Sequence, residues 1–394
     1  MYRVAQTSSL VNNKLYFFGG LSGDTFTNET WYLDLSNSFN VSMPPWHKGQ
    51  ETLVAVGFAS SCVSPIDNSS VFLIGGNMLL ANNASAPFYP SEVYKFDSKN
   101  SYWRPVNVIG YNNSFTSRYI MQAIIDNDGK IFIFGGRNTD INISDINITT
   151  SAWYNDMHML DITSLKWSTL NISQNVPLPC IAYAAVLLPT DEIIYIGGVE
   201  LLLLGNPRLV DIKMVRLFNT KSFTWSTKQI TGASIDSRGG HTAVLTQNGS
   251  IIIYGGSTIN YTQVAPDLMV LDINNWEWSI PNIPQTNAPQ LLTHHSAAIY
   301  ENYMIVSFGR IVSQLSPATI NGINILDIRN YTWVAVATIN NLESTPVPTV
   351  LTPTLNIVVT SVASIIIIGS VIAGIFIYKK RQVRRHSIAT PGSK

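Results

Sequence analysis

The chain is poor in charge, in cysteine and in histidine. Charged residues make up 12% of its 394 positions and hydrophobic ones 46%. That balance fits buried strands together with a membrane segment. Two cysteines, Cys62 and Cys180, exclude a disulfide-stapled scaffold, and a chain of this length has core enough to do without one. They are expected to be small buried apolar residues. Histidine occurs six times, at His47, His158, His241, His294, His295 and His386. No zinc spacing, phosphate loop or nucleophile motif accompanies them. The first residues lack a basic region, an apolar run and a cleavage site, so they do not form a signal peptide. Net charge is zero but unevenly spread. Residues 379–394 hold six of the 24 basic side chains and no acid, which leaves 18 basic against 24 acidic residues, a net of −6. A body with that balance has no electrostatic footprint for nucleic acid.

What the chain does contain is one short phrase, repeated. Its clearest form is GSIIIYGG at 249–256, an apolar strand running into paired glycines. Four further copies end at Gly19-Gly20, Gly75-Gly76, Gly135-Gly136 and Gly197-Gly198, against Gly255-Gly256 in the clearest one, and a sixth reads SFGR around Gly309, where the second glycine is expected to have been lost. Downstream of each pair a second apolar run ends in Asp or Asn: Asp34, Asp97, Asp161, Asn219, Asp272 and Asp327. A Trp follows six residues later in five copies, at Trp103, Trp167, Trp225, Trp278 and Trp333. The first copy departs, with Phe39 five residues after Asp34 and a Trp only at Trp46. A β-rich unit repeating every ~50–60 residues points to a propeller of four-stranded units.

The double glycine, the spaced acid and the following Trp resemble the kelch repeat, of the kind also found in the central domain of galactose oxidase. The resemblance covers residues 3–338. It implies an all-β, six-bladed propeller over residues 1–338. In that family a copper ion is held by two tyrosines and two histidines, one tyrosine being cross-linked to a cysteine. This chain has no Tyr-His dipeptide of the kind that supplies two ligands there, and no donor set that converges on one point. His294-His295 aligns with His241 as a framework position. The resemblance therefore implies the scaffold without the chemistry, and no cofactor is expected. A copper-radical oxidase relative, active or degenerate, is the alternative reading.

The spacing also predicts which face varies. Connections between first and second strands are tight turns, such as Asn12-Asn13 and Asn248-Gly249, suited to hairpins. Those between second and third strands swing widely, and in an antiparallel meander they share a face with the links between units. A protein or glycan partner is expected there. The longest such loop runs from Arg137 to Tyr154. Another carries Leu201, Leu202, Leu203 and Leu204, which either mark a partner site or fold over a neighbouring unit. A first-strand position is held by Arg3, Arg118 and Arg238, and by Val56, Cys180 and Leu292 in the other copies. The arginines either ring the pore mouth or mark positions that fasten adjacent blades by backbone hydrogen bonds.

Beyond the repeats, residues 339–356 form a Pro- and Thr-rich stalk. Residues 357–378 are an uncharged apolar run, ~33 Å long as a helix at 1.5 Å per residue, enough for a bilayer core. The basic residues of 379–394 follow, which predicts a cytosolic C-terminus and an external propeller on a single-pass membrane protein. Gly369 with Ala373 and Ser370 with Gly374 offer small-residue spacing for weak helix dimerisation. Ser387, after Arg384-Arg385-His386, has the form of a basophilic phosphorylation site, or is part of a plain stop-transfer anchor. Eleven glycosylation sequons precede the apolar run, at Asn28, Asn40, Asn68, Asn83, Asn112, Asn142, Asn147, Asn171, Asn248, Asn260 and Asn330. They call for passage through the secretory pathway, so the natural chain is expected to begin upstream of Met1. A cytosolic, tail-anchored scaffold is the remaining alternative.

Overall fold

The computed structural model describes residues 3–339, apart from 24, 81–92, 112–114, 116–117, 142–148, 204, 313–317 and 320–321. The chain divides into two units, Met1–Asn340 and Asn341–Lys394. The stalk beyond residue 339, the apolar run 357–378, the basic tail and Ser387 lie outside the described residues, as do Asn83, Asn112, Asn142, Asn147 and Leu204. Among the described residues there is no α-helix, and no helix long and apolar enough to cross a membrane.

Six antiparallel four-stranded meanders follow one another along the chain. The first comprises Thr7–Val11, Lys14–Phe18, Thr30–Asp34 and Trp46–Lys48, and the second Ser60–Val63, Ser70–Ile74, Val93–Asp97 and Tyr102–Pro105. The third is built from Ala123–Ile125, Lys130–Phe134, Met157–Asp161 and Lys166–Leu170, and the fourth from Ala184–Leu187, Glu192–Ile196, Met214–Asn219 and Thr224–Gln229. Thr242–Leu245, Ser250–Tyr254, Leu268–Asp272 and Glu277–Ser279 make the fifth; Ser296–Tyr300, Tyr303–Ser307, Ile323–Asp327 and Thr332–Val334 make the sixth. The first strand of each sheet lies against the first strands of the sheets before and after it, and the sixth returns to the first.

This arrangement explains why second strands are apolar throughout rather than alternating. Each sheet is covered on both faces, so both sets of side chains are buried. Ile251 and Ile253 pack with Ile194 and Ile196 of the fourth sheet, while Ile252 and Tyr254 pack with Met304 and Val306 of the sixth. The core is thus a series of layers between sheets. The repeated Trp locks each layer at its outer edge. Trp103 meets Phe18 of the preceding sheet at 5.1 Å between ring centroids, Trp225 meets Phe134 at 4.8 Å, and Trp333 meets Tyr254 at 5.3 Å. Trp278 donates its indole N–H across the same gap to the Ile212 carbonyl, and Trp167 packs on Phe115 at 4.8 Å.

The departure in the first copy closes the ring. Trp46 pairs with Leu33, the register that Trp103 has with Phe96 and Trp333 has with Leu326. It stacks on Phe308 of the sixth sheet at 5.4 Å. Trp46 is therefore the repeated Trp, displaced in sequence by an insertion. The insertion carries Phe39–Asn40, which pairs antiparallel with Val336–Ala337 beyond the sixth sheet. The Val41 N–H to Ala335 carbonyl bond and the Ile339 N–H to Ser38 Oγ bond, both 2.8 Å, extend that seam.

The glycine pairs join neighbouring sheets. The N–H of Gly20, Gly76, Gly136, Gly198, Gly256 and Gly309 donates to the carbonyl of Val56, Arg118, Cys180, Arg238, Leu292 and Arg3 respectively, at 2.7–3.0 Å. Each acceptor belongs to the next sheet in the ring. These glycines have φ of 84–102°, open to glycine alone at little cost. The assignment for the sixth copy is corrected here. Gly309 is its second glycine, with φ of 102° and the bond to Arg3, and Phe308 holds the first position at φ 57°. Its ring is buried against Phe17 and Trp46.

A Cβ added at the first glycine collides with the same acceptor carbonyl: at Gly255 it lies 2.3 Å from Leu292 O. At Gly23, where φ is also positive, nothing lies within 4 Å of the added atom. Backbone strain is common to both substitutions, so the difference isolates the contact. Gly255→Ala is expected to cost ~1–3 kcal/mol more than Gly23→Ala in urea unfolding. Equal costs would show that the carbonyl does not constrain the site.

Candidate binding face and central channel

Two residues beyond the acceptor of the glycine bond, each sheet contributes one backbone unit to a second ring. The N–H of Phe58 donates to Ala5, Ile120 to Phe58, Ala182 to Ile120, Gly240 to Ala182, His294 to Gly240, and Ala5 back to His294, at 2.8–3.3 Å. All six residues have φ of 52–68°, a conformation that costs an L-residue ~1–2 kcal/mol. The ring is a girdle around the channel. One cavity of about 200 Å³ lies on its polar side, among Gln6, Ser60, Gln122, His241, Thr242 and His295. A second, of about 210 Å³, lies on the other side, lined by Arg137, Trp153, Ile181, Val199, Ile259 and Tyr261. Both cavities share Ile120, Ala182, Gly240 and His294 of the girdle.

The face around the second cavity carries the variable loops. Several of them form a second tier of strands with the segment that enters each sheet. Asn77–Leu80 pairs with Val54–Gly57, Val199–Leu201 with Cys180–Ile181 and Pro207–Leu209, and Arg310–Ile311 with Leu292–Thr293 and Ala318–Thr319. Leu21–Ser22 with Thr25–Phe26, and Arg137–Ile141 with Thr149–Trp153, form hairpins. The leucine run sits in one of these elements. Leu201 and Leu202 are half-buried, whereas Leu203 is 97% exposed at the tip.

The three first-strand arginines are 0–1% exposed. They do not ring a mouth; as the second reading expected, their backbone carbonyls fasten adjacent blades, while their side chains stay within one blade. Each clamps its own sheet. Arg3 reaches the Gly19 carbonyl and the Glu29 carboxylate; Arg118 reaches the Gly135 carbonyl and Asp156; Arg238 takes the carbonyls of Asp236, Gly255, Ala265 and Pro266. The link to the neighbour is made by the backbone carbonyl of that position. Asp156, hydrogen-bonded to Arg118 and His158, is held well below the usual carboxylate range despite its burial.

His295, rather than His294, shares the structural position of His241, because His294 belongs to the girdle with Gly240. Burial holds His241 at about 3, helped by Arg238 and His295. Burial likewise holds His295 at about 3, and His294 at about 4 with Arg310 and Arg137 nearby. All three are neutral at physiological pH. His47 lies on Tyr32 at 5.0 Å, and His158 bonds Asp156 and Trp167. Both cysteines are buried free thiols, raised by burial to about 12 at Cys62 and about 11 at Cys180. Among the described residues no group of three or more His, Cys, Asp or Glu is placed to hold a metal ion.

Six described sequon asparagines are exposed: Asn40, Asn68, Asn171, Asn248, Asn260 and Asn330. At Asn40 and Asn330 the side-chain oxygen accepts from the N–H and hydroxyl of the sequon's own Ser42 and Thr332. The amide nitrogen takes no part in these bonds. Asn28 differs: it is half-buried, and its amide nitrogen donates to Glu51 and to the Thr52 carbonyl.

The Attractin/LZTR1 beta-propeller family model matches residues 71–369, more than half of the chain. The chain belongs to that family. Protein tag-53 of Caenorhabditis elegans is 25% identical over 264 residues, 64% of this chain and 18% of its own length. Kelch repeat-containing protein 2 of Saccharomyces cerevisiae is 26% identical over 57% of this chain and 25% of its own. The leucine-zipper-like transcriptional regulator 1 homolog of Drosophila melanogaster is 21% identical over 45% of this chain and 16% of its own. The chain thus spans a quarter or less of these relatives' length. The solved structure of YjhT superimposes with a TM-score of 0.61 over 86% of this chain and 98% of that chain, at 12% identity. That likeness concerns the fold alone. This member of the Attractin/LZTR1 family is thus a kelch-type β-propeller, as the repeated glycines implied.

The channel histidines give the propeller a pH dependence of definite sign. Their folded values lie below the ~6.5 of an unfolded histidine, so the unfolded chain takes up protons first as pH falls. Their contribution is complete above pH ~6.5 and is lost toward the folded values. The melting temperature is expected to fall from pH 6.5 to 4, with a shallower slope in the His241→Gln/His295→Gln double variant. An unchanged slope would place the titrating groups elsewhere.

Proposed function

We propose that this chain is a six-bladed kelch propeller that binds a protein partner through its long-loop face, on the outer side of a membrane that residues 357–378 span. The observation that carries the reading is the contrast between the two faces. One is closed by short turns such as that after Asp97, whose carboxylate takes the Lys99 and Asn100 N–H groups. The other bears the second tier of strands, the open mouth and the fully exposed Leu203. An exposed leucine on a hairpin is the kind of apolar contact that partner interfaces use. The exposed sequon asparagines support the outer location. The basic tail then stays in the cytosol, where a phosphate on Ser387 would oppose its attraction to anionic lipid.

The test is photo-crosslinking on intact cells expressing the full chain, with a photo-reactive residue at position 203 or, as control, at position 99. Position 203 is expected to yield discrete protein adducts and position 99 none, and glycosidase treatment is expected to lower the mass of the chain. Equal labelling from both positions would count against the binding face. A mass unchanged by glycosidase would count against the outer location.

A further inference from the structure

Arg137 and Arg310 hold equivalent places in the ring. Each directly follows the second glycine of its sheet, Gly136 and Gly309, and each opens a second-tier strand. The third and sixth sheets stand opposite one another in the cyclic order; Arg137 lines the mouth itself, and Arg310 lies over Tyr261, which lines it as well. Both guanidiniums add to the effect of burial in holding His294, which lines the mouth, below the usual histidine value.

Their partners set them apart from five other arginines of the propeller. Arg3, Arg118, Arg208 and Arg216 pair with carboxylates, and Arg238 donates to four carbonyls. Arg137 and Arg310 have no carboxylate among the described residues. Each instead faces a tyrosine ring, Tyr119 at 5.2 Å and Tyr261 at 4.6 Å. Stacking fixes a guanidinium plane and leaves its N–H edge free for a planar bidentate acceptor. The Nε of Arg137 is buried without a hydrogen-bond partner, a desolvation cost that an incoming acceptor would relieve. The rest of the mouth is apolar and aromatic, from Trp153, Val199, Ile259 and Tyr261. Exposed Leu203 lies on a hairpin of the same face.

We propose that this mouth binds an acidic side chain of a partner protein, presented in an extended peptide whose neighbouring residues are apolar or aromatic. The carboxylate is held by Arg137 and Arg310, and the flanking residues lie on Trp153, Tyr261 and the leucine hairpin. A cavity of about 210 Å³ suits one or two side chains, and the surrounding apolar surface suits the chain that carries them. The inference rests on the binding-face reading above and adds the chemistry of the partner.

The experiment is selection of a random dodecapeptide display library on the full chain, followed by titration of synthetic copies of the enriched peptides. Enriched sequences are expected to carry Asp or Glu beside an apolar or aromatic residue. Binding should fall at least tenfold when that acid becomes Asn or Gln, and at least tenfold in Arg137→Gln and Arg310→Gln. Both arginines are half-exposed, and unchanged thermal melting of the variants separates lost recognition from lost folding. Enriched peptides without an acid, or peptides indifferent to both arginine variants, would overturn the carboxylate proposal. If such peptides still lose binding in Trp153→Ala, the binding-face reading survives; if nothing depends on Trp153 or the arginines, both fall. Arginine-dependent binding of free acetate or citrate, with no acidic peptide enriched, would likewise overturn it in favour of a small carboxylate ligand.

Discussion

The backbone hydrogen bond from the second glycine of each sheet to a carbonyl of the next is the constraint on which the rest of the molecule depends. One such bond contributes only ~1 kcal/mol net. It matters because it recurs six times in a closed cycle and brings a carbonyl where the first glycine has no room for a Cβ. Two residues further along, the girdle repeats the same logic with six left-handed residues. No sheet can shift without stretching bonds on both of its sides. The other repeated features serve this arrangement. Buried arginines hold the glycine-bearing strand end to the third strand of the same sheet, and outer-strand Trp residues close the layers at the rim. The insertion bearing Phe39–Asn40 ties the end of the ring to its beginning.

Much of this was legible in the sequence, and the illegible parts have physical reasons. Glycine pairs are visible because positive φ and close approach exclude most other residues. The Trp register is visible because the space between outer strands admits one large ring. Trp46 escaped that register because an insertion changed its distance from Asp34 without changing its place opposite Leu33. The sixth copy was misread because Phe308 accepts the left-handed conformation that glycine usually supplies, which shifts the apparent pair by one residue. The girdle left no signal at all. Ala5, Phe58, Ile120, Ala182, Gly240 and His294 share no side-chain chemistry, since the ring is made wholly of backbone groups.

The proposed binding face was legible as a location and not as a chemistry. Loop lengths showed which face varies, because insertions accumulate where the meander is open. The leucine run stood out, and its exposed tip is Leu203. Arg137 and Arg310 did not, because the position after the second glycine holds Leu21, Asn77, Val199 and Ser257 in the other sheets. The division of labour follows from this. The backbone network makes the ring indifferent to the side chains that follow the glycines, so those side chains are free to define a mouth. The kinship with the Attractin/LZTR1 family concerns the propeller fold.

The central claim is that the two rings of backbone bonds make the propeller one cooperative unit. Native-state hydrogen exchange at the amides of Phe58, Ile120, Ala182, Gly240 and His294, together with those of the second glycines, tests it most directly. The account predicts that these amides exchange with one common free energy, equal to that of global unfolding and falling in parallel with added denaturant. A graded series, in which individual sheets release their ring amides well below the global value, would contradict it.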